Sequence, residues 1–270
     1  MPRVHPTASL DGEVELADDV EIGPHCVLTG PITIGAGCRL IGNVWLQGPL
    51  TLGERNLLYP FSCLGFAPQD VKWDPAQPGA GLVIGPGNVF REGVTIHRAT
   101  SDQTPTRVGN QNYWMAYSHA GHDSLIGNDC IFANGTLLAG FVRVEDRVIT
   151  GGTTCVHQFC RVGRGAMLSG TMGLTRDLPP WFMLTGTNTA GSINMIGLRR
   201  SGASQEAIED VRWVYKTLYR CGISIAAAIE VIRERAGRPI VDEYLEFFAS
   251  SKRGICPAKS DPARGTLAEM

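Results

Sequence analysis

The chain has 270 residues, 43% hydrophobic and 19% charged, with a formal net charge of −2. That length allows one or two domains with a real core. The near-neutral balance argues against a general nucleic-acid binder, and no apolar run approaches the ~18 residues of a membrane span. The start, MPRVHPTASLDGEVEL, lacks the apolar stretch of a secretory signal, so the eight cysteines read as reduced thiols of a cytoplasmic protein.

A period of six begins at once. Val4, Leu10, Leu16, Ile22, Leu28, Ile34, Leu40, Leu46, Leu52, Leu58 and Leu64 are aliphatic at intervals of six. The pattern resumes at Ile84 and runs through Phe90, Ile96, Val108, Trp114, Ala120, Ile126, Phe132, Leu138, Val144, Val156, Val162, Leu168 and Leu174, with Asp102 and Thr150 as polar exceptions. Glycine often follows the lead residue (Gly23, Gly35, Gly53, Gly127), and a small or β-branched residue sits four beyond it (Val20, Cys26, Cys38, Ser118, Cys130). Six residues make one short strand and a bend, and three such units close a triangular coil whose copies stack by parallel pairing. The lead side chains fill the interior and the glycines relieve the bends, where a positive φ is expected. Cys26, Cys38, Cys130 and Cys160 occupy the small slot, which predicts packed thiols and not metal ligands.

Two segments break the period: a Pro/Gly-rich loop over 66–82, and SDQTPT around Ser101–Thr106. Extra residues in a solenoid project as loops from one edge, often the functional one. From Ser204, a candidate N-cap, the period turns helical, with Ile208, Val211, Tyr215 and Leu218 on one face and Gly222 as the stop. A second helix is predicted near Ser224–Ala236 and a third from Pro239 through Phe248. The domains are therefore a β-helix over 1–190, a helical unit over 191–256 and a polar, mobile tail over 257–270.

In a coil of eighteen residues, His122, Gly140 and Gln158 form one column, with His157 beside it and His119 and Asp123 flanking His122. A neutral imidazole beneath a bare backbone amide suits acyl transfer: the ring takes a hydroxyl proton, and the N–H meets the developing oxyanion. Asp123 can fix the tautomer of His122 only if the strand bends between them. The same histidines leave open a zinc site in a metal-dependent β-helical hydratase.

The collinear segments HAGHDSLIGNDCIFANGTLLAG (119–140), GGTTCVHQFCRVG (151–163), REGVTIHRAT (91–100), LGFAPQDVKW (64–73), DLPPWF (177–182) and GLRRSG (197–202) resemble the UDP-N-acetylglucosamine O-acyltransferase family of lipid A biosynthesis. The resemblance spans residues 1–256. It implies a left-handed parallel β-helix (a hexapeptide-repeat solenoid) followed by a small α-helical C-terminal domain. It also implies transfer of a 3-hydroxyacyl group from acyl carrier protein to the sugar 3-hydroxyl. By position, His122 matches the general base, Asp123 its carboxylate partner and Gly140 the oxyanion-hole amide. Asp70 matches a residue holding the sugar, Gln69 and Lys72 positions at the acyl donor, and His119, His157 and Gln158 substrate contacts. Asn194 and Arg200 match residues near the nucleotide diphosphate, and Gly170 the position that sets acyl-chain length.

The resemblance further implies a homotrimer, with apolar face residues such as Leu57, Tyr59, Tyr113 and Met115 buried at a threefold contact. It implies no metal and no resident cofactor, since the donor carries its own phosphopantetheine. The donor is an acidic carrier protein, so a basic landing surface is expected, with Arg199, Arg200, Arg212, Lys216 and Arg220 as candidates. Phe141 stands where family members often carry His, and Ile196 where they carry an acid. Both departures lie on the sugar-nucleotide side and keep open a diverged enzyme acting on another nucleotide sugar.

Overall fold

The computed structural model describes residues 1–74 and 77–258. Its strands build three sheets of 11, 9 and 8 strands, which are the three faces of a parallel β-solenoid. Each turn contributes one strand to each face in strict rotation. Uninterrupted neighbours pair eighteen residues apart, as in Glu21↔Arg39, Val27↔Trp45 and Ile32↔Leu50. The lead side chains from Ile22 to Leu174 are buried inside the prism, the polar Thr150 among them. Val4 and Leu10, in the first turn, are 41% and 37% exposed because no turn lies beneath them. The four slot cysteines are fully buried, and burial pushes the thiols of Cys130 and Cys160 up to about 12 and about 11.

The corners correct one expectation. Gly23, Gly35, Gly53 and Gly127 do not adopt positive φ, although Gly65, after Leu64, does; at the regular corners the left-handed conformation falls two residues later and is taken mostly by other residues, including His25, Asn43, Arg55 and Asp123. The glycines answer to close approach instead: a β-carbon on Gly23 would lie 2.1 Å from the Ile41 carbonyl oxygen of the next turn, and one on Gly127 2.8 Å from Asp146 N. Turns spaced by one strand separation leave no room for a side chain there.

Inside one corner runs a polar ladder. Asn56, Asn88 and Asn112 are fully buried; Asn88 N donates to Asn56 Oδ1 at 2.8 Å, Asn112 N to Asn88 Oδ1 at 2.9 Å, and Cys130 N to Asn112 Oδ1 at 2.8 Å. Each amide also donates to corner carbonyls, so the buried polar atoms are satisfied.

Both interruptions enter at the corner between the second and third faces. One separates Cys63–Phe66 from Leu82–Ile84, the other Thr95–His97 from Thr106–Val108. Asp102 is thus not a lead residue. The second insertion adds six residues, so a count of sixes passes through it undisturbed, while Thr95 pairs with His119 at a separation of 24.

The solenoid is capped by a hairpin, Phe182–Gly186 with Thr189–Ile193, so its last strand runs past residue 190. Four helices follow: α1 (Met195–Arg200), α2 (Gln205–Arg220), α3 (Ile225–Arg233) and α4 (Pro239–Ala249). Ser204 and Ser224 cap α2 and α3 as the sequence indicates, and Ile208, Val211, Tyr215 and Leu218 are buried. Tyr244 ties α4 to the prism through a 2.8 Å hydrogen bond to the Pro180 carbonyl. The tail expected to be mobile lies, beyond residue 258, outside the described residues. Among the described residues no helix is long and apolar enough to cross a membrane.

Candidate active site

The site forms on the corner just after the two insertions. Asp123 sits at φ 58, and this left-handed turn swings its carboxylate back onto its neighbour: His122 Nδ1 and Asp123 Oδ2 are 2.7 Å apart. The bend that adjacent strand residues require is therefore built into the corner. The Asp123 carboxylate also accepts from Thr100 Oγ1 at 2.8 Å, Thr100 N at 3.1 Å and Ser101 N at 3.3 Å, all on the six-residue insertion. Asp123 N in turn donates to Thr106 Oγ1 at 2.8 Å. Burial pushes this carboxyl up, but the hydrogen bonds from His122, Thr100 and Ser101 outweigh it and hold it below the usual range. An ionised Asp123 fixes the proton of His122 on Nδ1 and leaves Nε2 as the acceptor.

That Nε2 faces Gly140. A β-carbon on Gly140 would lie 2.7 Å from Nε2 and 2.8 Å from Cε1, so the ring packs directly on the glycine. Gly121 is similarly constrained, since a β-carbon there would meet Gly140 N at 2.6 Å. Among the described residues no acceptor takes the Gly140 N–H. His122 and Asp123 side chains are 12% and 7% exposed, which shields the pair from competing water.

His119 stands on the same side. Its Nδ1 is hydrogen-bonded to the Thr95 hydroxyl at 2.8 Å, and its ring meets His97 edge to face at 5.2 Å. Burial, followed by repulsion from His119, His122 and Arg98, pushes His97 down to about 4. Burial and the proximity of His122 lower His119 as well. Both therefore stay neutral at neutral pH and place no fixed positive charge beside His122. Phe141 meets the His122 ring edge to face at 5.3 Å and stacks on Phe159 at 4.8 Å. The two rings wall a groove of about 670 Å³ that runs from Asp123 past Leu125, Arg143 and Arg161 to Ser250–Lys252.

The fold thus brings His119, His122, Asp123 and Gly140 together, with Gln158 one turn above Gly140. His157 and Gln158 are exposed, and Arg253 Nη2 approaches His157 Nδ1 at 3.5 Å. Within one chain the other predicted residues stand apart from this cluster. Gln69 and Lys72 are exposed on the long loop, where Asp70 Oδ1 accepts from Lys72 N at 2.9 Å. Gly170 stacks on Gly152 at a different corner. Arg200 is exposed at the end of α1. Asn194 is 5% exposed and used by the fold: its Oδ1 caps α1 through Gly197 N, and its Nδ2 donates to Gly165 O at 2.9 Å. The anchors Thr100, Ser101 and Thr106 and the His119 partner Thr95 were not singled out from the sequence, whereas His97 is one of the histidines clustered near the middle of the prism. Among the described residues no cluster of His, Cys, Asp and Glu is arranged to hold a metal ion.

The chain is similar over nearly its whole length to known proteins. Residues 177–256 match the family model described as "Udp N-acetylglucosamine O-acyltransferase; Domain 2". The acyl-[acyl-carrier-protein]–UDP-N-acetylglucosamine O-acyltransferase of Stutzerimonas stutzeri is 40% identical over 260 residues, covering 94% of this chain and 99% of that one. Its counterpart in Pseudomonas putida is 41% identical with the same coverage. The UDP-N-acetylglucosamine acyltransferase structure of Francisella novicida superposes with a TM-score of 0.91 at 33% identity, covering 99% of this chain and 100% of that one.

Proposed function

The chain belongs to the UDP-N-acetylglucosamine O-acyltransferase family, and from that premise we propose that it moves a 3-hydroxyacyl group from acyl carrier protein to the 3-hydroxyl of UDP-N-acetylglucosamine. The observation that supports the chemistry is the His122 ring, held by Asp123 on one nitrogen and packed against bare Gly140 with the other.

In this reading the acceptor hydroxyl gives its proton to His122 Nε2 as its oxygen attacks the thioester carbonyl carbon. The carbonyl oxygen becomes an oxyanion and accepts from Gly140 N–H. Asp123 stabilises the imidazolium without taking its proton. Collapse breaks the C–S bond, and the leaving thiolate recovers the proton from Nε2. The thioester arrives already activated, so the scheme calls for no metal and no resident cofactor. Because His97 and His119 are neutral, the imidazolium forms without a positive charge from either of them.

The reading includes a trimer. On the first face Leu57, Val89, Tyr113, Ile131, Ile149 and Met167 stack in one outward column. Burying such an apolar stripe against copies of itself accounts for it. It would also bring one chain's loop and helical residues toward another chain's His122. The experiment is transfer from a 3-hydroxyacyl carrier protein to UDP-N-acetylglucosamine by wild type and His122→Ala. Loss of about 10³-fold or more in kcat with an unchanged oligomer supports the role; full turnover by the variant rejects it.

A further inference from the structure

One outward column of the third face carries like charges on neighbouring strands. Arg107 pairs with Leu125, Leu125 with Arg143, and Arg143 directly with Arg161. Like charges directly opposite each other on a ladder destabilise it. Elsewhere this chain avoids the cost: on the first face Arg3, Glu21 and Arg39 alternate in sign and are joined by ion pairs. On the third face only partial relief is present. Arg161 donates to Glu145 at 3.0 Å and packs on Phe247, whereas Arg107 and Arg143 are exposed and, among the described residues, make no ion pair. Glu145 and Asp146 lie beside the same column, with Glu145 paired to Arg161, and Asp123 is already engaged by His122, Thr100 and Ser101.

The column adjoins the catalytic corner. Arg143, Arg161 and Lys252 line the same groove as Asp123, Phe141 and Phe159. From Arg107 to Arg161 the column covers three strand spacings, about 14 Å. That is longer than a diphosphate and suits the acidic face of a protein. The α2 cations Arg212, Lys216 and Arg220 do not line this groove.

We propose that Arg107, Arg143 and Lys252, with Arg161 at the edge, form the docking surface for the acidic carrier protein that delivers the acyl thioester. This rests on the acyltransferase reading given above. A carrier held there presents its prosthetic arm to a groove that reaches Asp123, the hydrogen-bond partner of His122. The unpaired charges of Arg107 and Arg143 are then a cost of the free chain that the partner removes.

The test is steady-state transfer by Arg107→Glu/Arg143→Glu, with the acyl group supplied either on the carrier protein or on free pantetheine. Binding of holo-carrier protein, read by fluorescence anisotropy, is scored whether or not transfer is seen. The expected result is a KM for the acylated carrier raised about tenfold or more, with a matching loss of carrier binding and a flattened salt dependence. The KM for the nucleotide sugar should stay within twofold, as should the acyl-pantetheine rate of the single variant Arg107→Glu, since Arg107 does not line the groove. Carrier KM and binding unchanged in this variant, but weakened by Arg212→Glu/Lys216→Glu, overturn the proposal in favour of α2. A raised nucleotide-sugar KM with normal carrier binding overturns it in favour of a diphosphate site. Wild type that binds carrier yet transfers nothing would count against the acyltransferase reading and leave this surface standing.

Discussion

Replacing Gly140 by Ala is the most direct probe of the corner. The added methyl would sit 2.7 Å from His122 Nε2, 2.8 Å from Cε1 and 3.2 Å from Cδ2. Ordinary contact begins near 3.4 Å, so the ring must retreat by about 0.7 Å. It has little freedom to do so, because Nδ1 is tied to Asp123 at 2.7 Å and Phe141 stands against the ring. A displacement approaching 1 Å at a reacting atom costs about 10²-fold, or roughly 2.7 kcal/mol in the barrier. Gly140 does not occupy the left-handed region, so Ala is permitted there. The gain from a stiffer unfolded chain, about 0.4–1 kcal/mol, offsets part of the crowding, and stability should move by no more than about 1 kcal/mol.

The assay is kcat at saturating donor and acceptor, beside a thermal melt. Kinetic loss should far exceed any loss of stability. A double-mutant cycle sharpens the result: once His122→Ala has removed the ring, adding Gly140→Ala should cost almost nothing further. Should Gly140→Ala retain more than half of wild-type kcat, or the double variant fall another hundredfold below His122→Ala, the stacking of imidazole on glycine would not be the catalytic geometry.

Three further outcomes follow from the same contacts. His97 is driven down to about 4 from an unfolded value near 6.5, so between those pH values the unfolded chain binds more protons and stability falls as pH drops; His97→Gln should flatten the melting-temperature loss between pH 6.5 and 4, a contribution of up to about 3 kcal/mol. Excising residues 100–105 joins Ala99 to Thr106, whose N–H groups already share the Gly81 carbonyl; the prism should stay folded by circular dichroism, while Asp123 loses its donors, its carboxyl rises and the acid limb of the rate profile moves to higher pH. Gly170→Met, where a β-carbon lies 3.1 Å from Gly152 O, should shift donor preference to shorter acyl chains in a panel of acyl carrier proteins while keeping kcat for the preferred donor within about tenfold.

The architecture was legible because each lead position has one job. A residue between Ile22 and Leu174 either fills the prism or leaves a void, and that pressure survives in the sequence as a period. Polar ladders leave no such trace: Asn56, Asn88 and Asn112 occupy the small slot and are satisfied by corner carbonyls and by backbone amides of the next turn. Helix α1, at six residues, is too short to show a period. Of the site, the His122–Gly140 column followed from adding eighteen. The Thr95–His119 contact did not, because the six-residue insertion makes its separation 24.

That insertion explains why one corner became a site while its copies did not. A perfect repeat offers the same geometry at every turn, so a His over a Gly could be placed anywhere along the prism. Carboxylates at uninterrupted corners accept from an amide of a neighbouring turn, as Asp19 does from Gly37 N at 2.9 Å and Asp146 from Asn128 N at 2.7 Å, without donors from an insertion. Breaking the ladder between Thr95–His97 and Thr106–Val108 frees the Thr100 and Ser101 amides and the Thr100 hydroxyl. They converge on the first intact corner that follows, where the left-handed turn at Asp123 turns its carboxylate toward them. The repeat supplies the distance between imidazole and amide; the interruption supplies the donors that keep Asp123 ionised. In the proposed mechanism the catalytic corner is the one where regular stacking and its interruption meet.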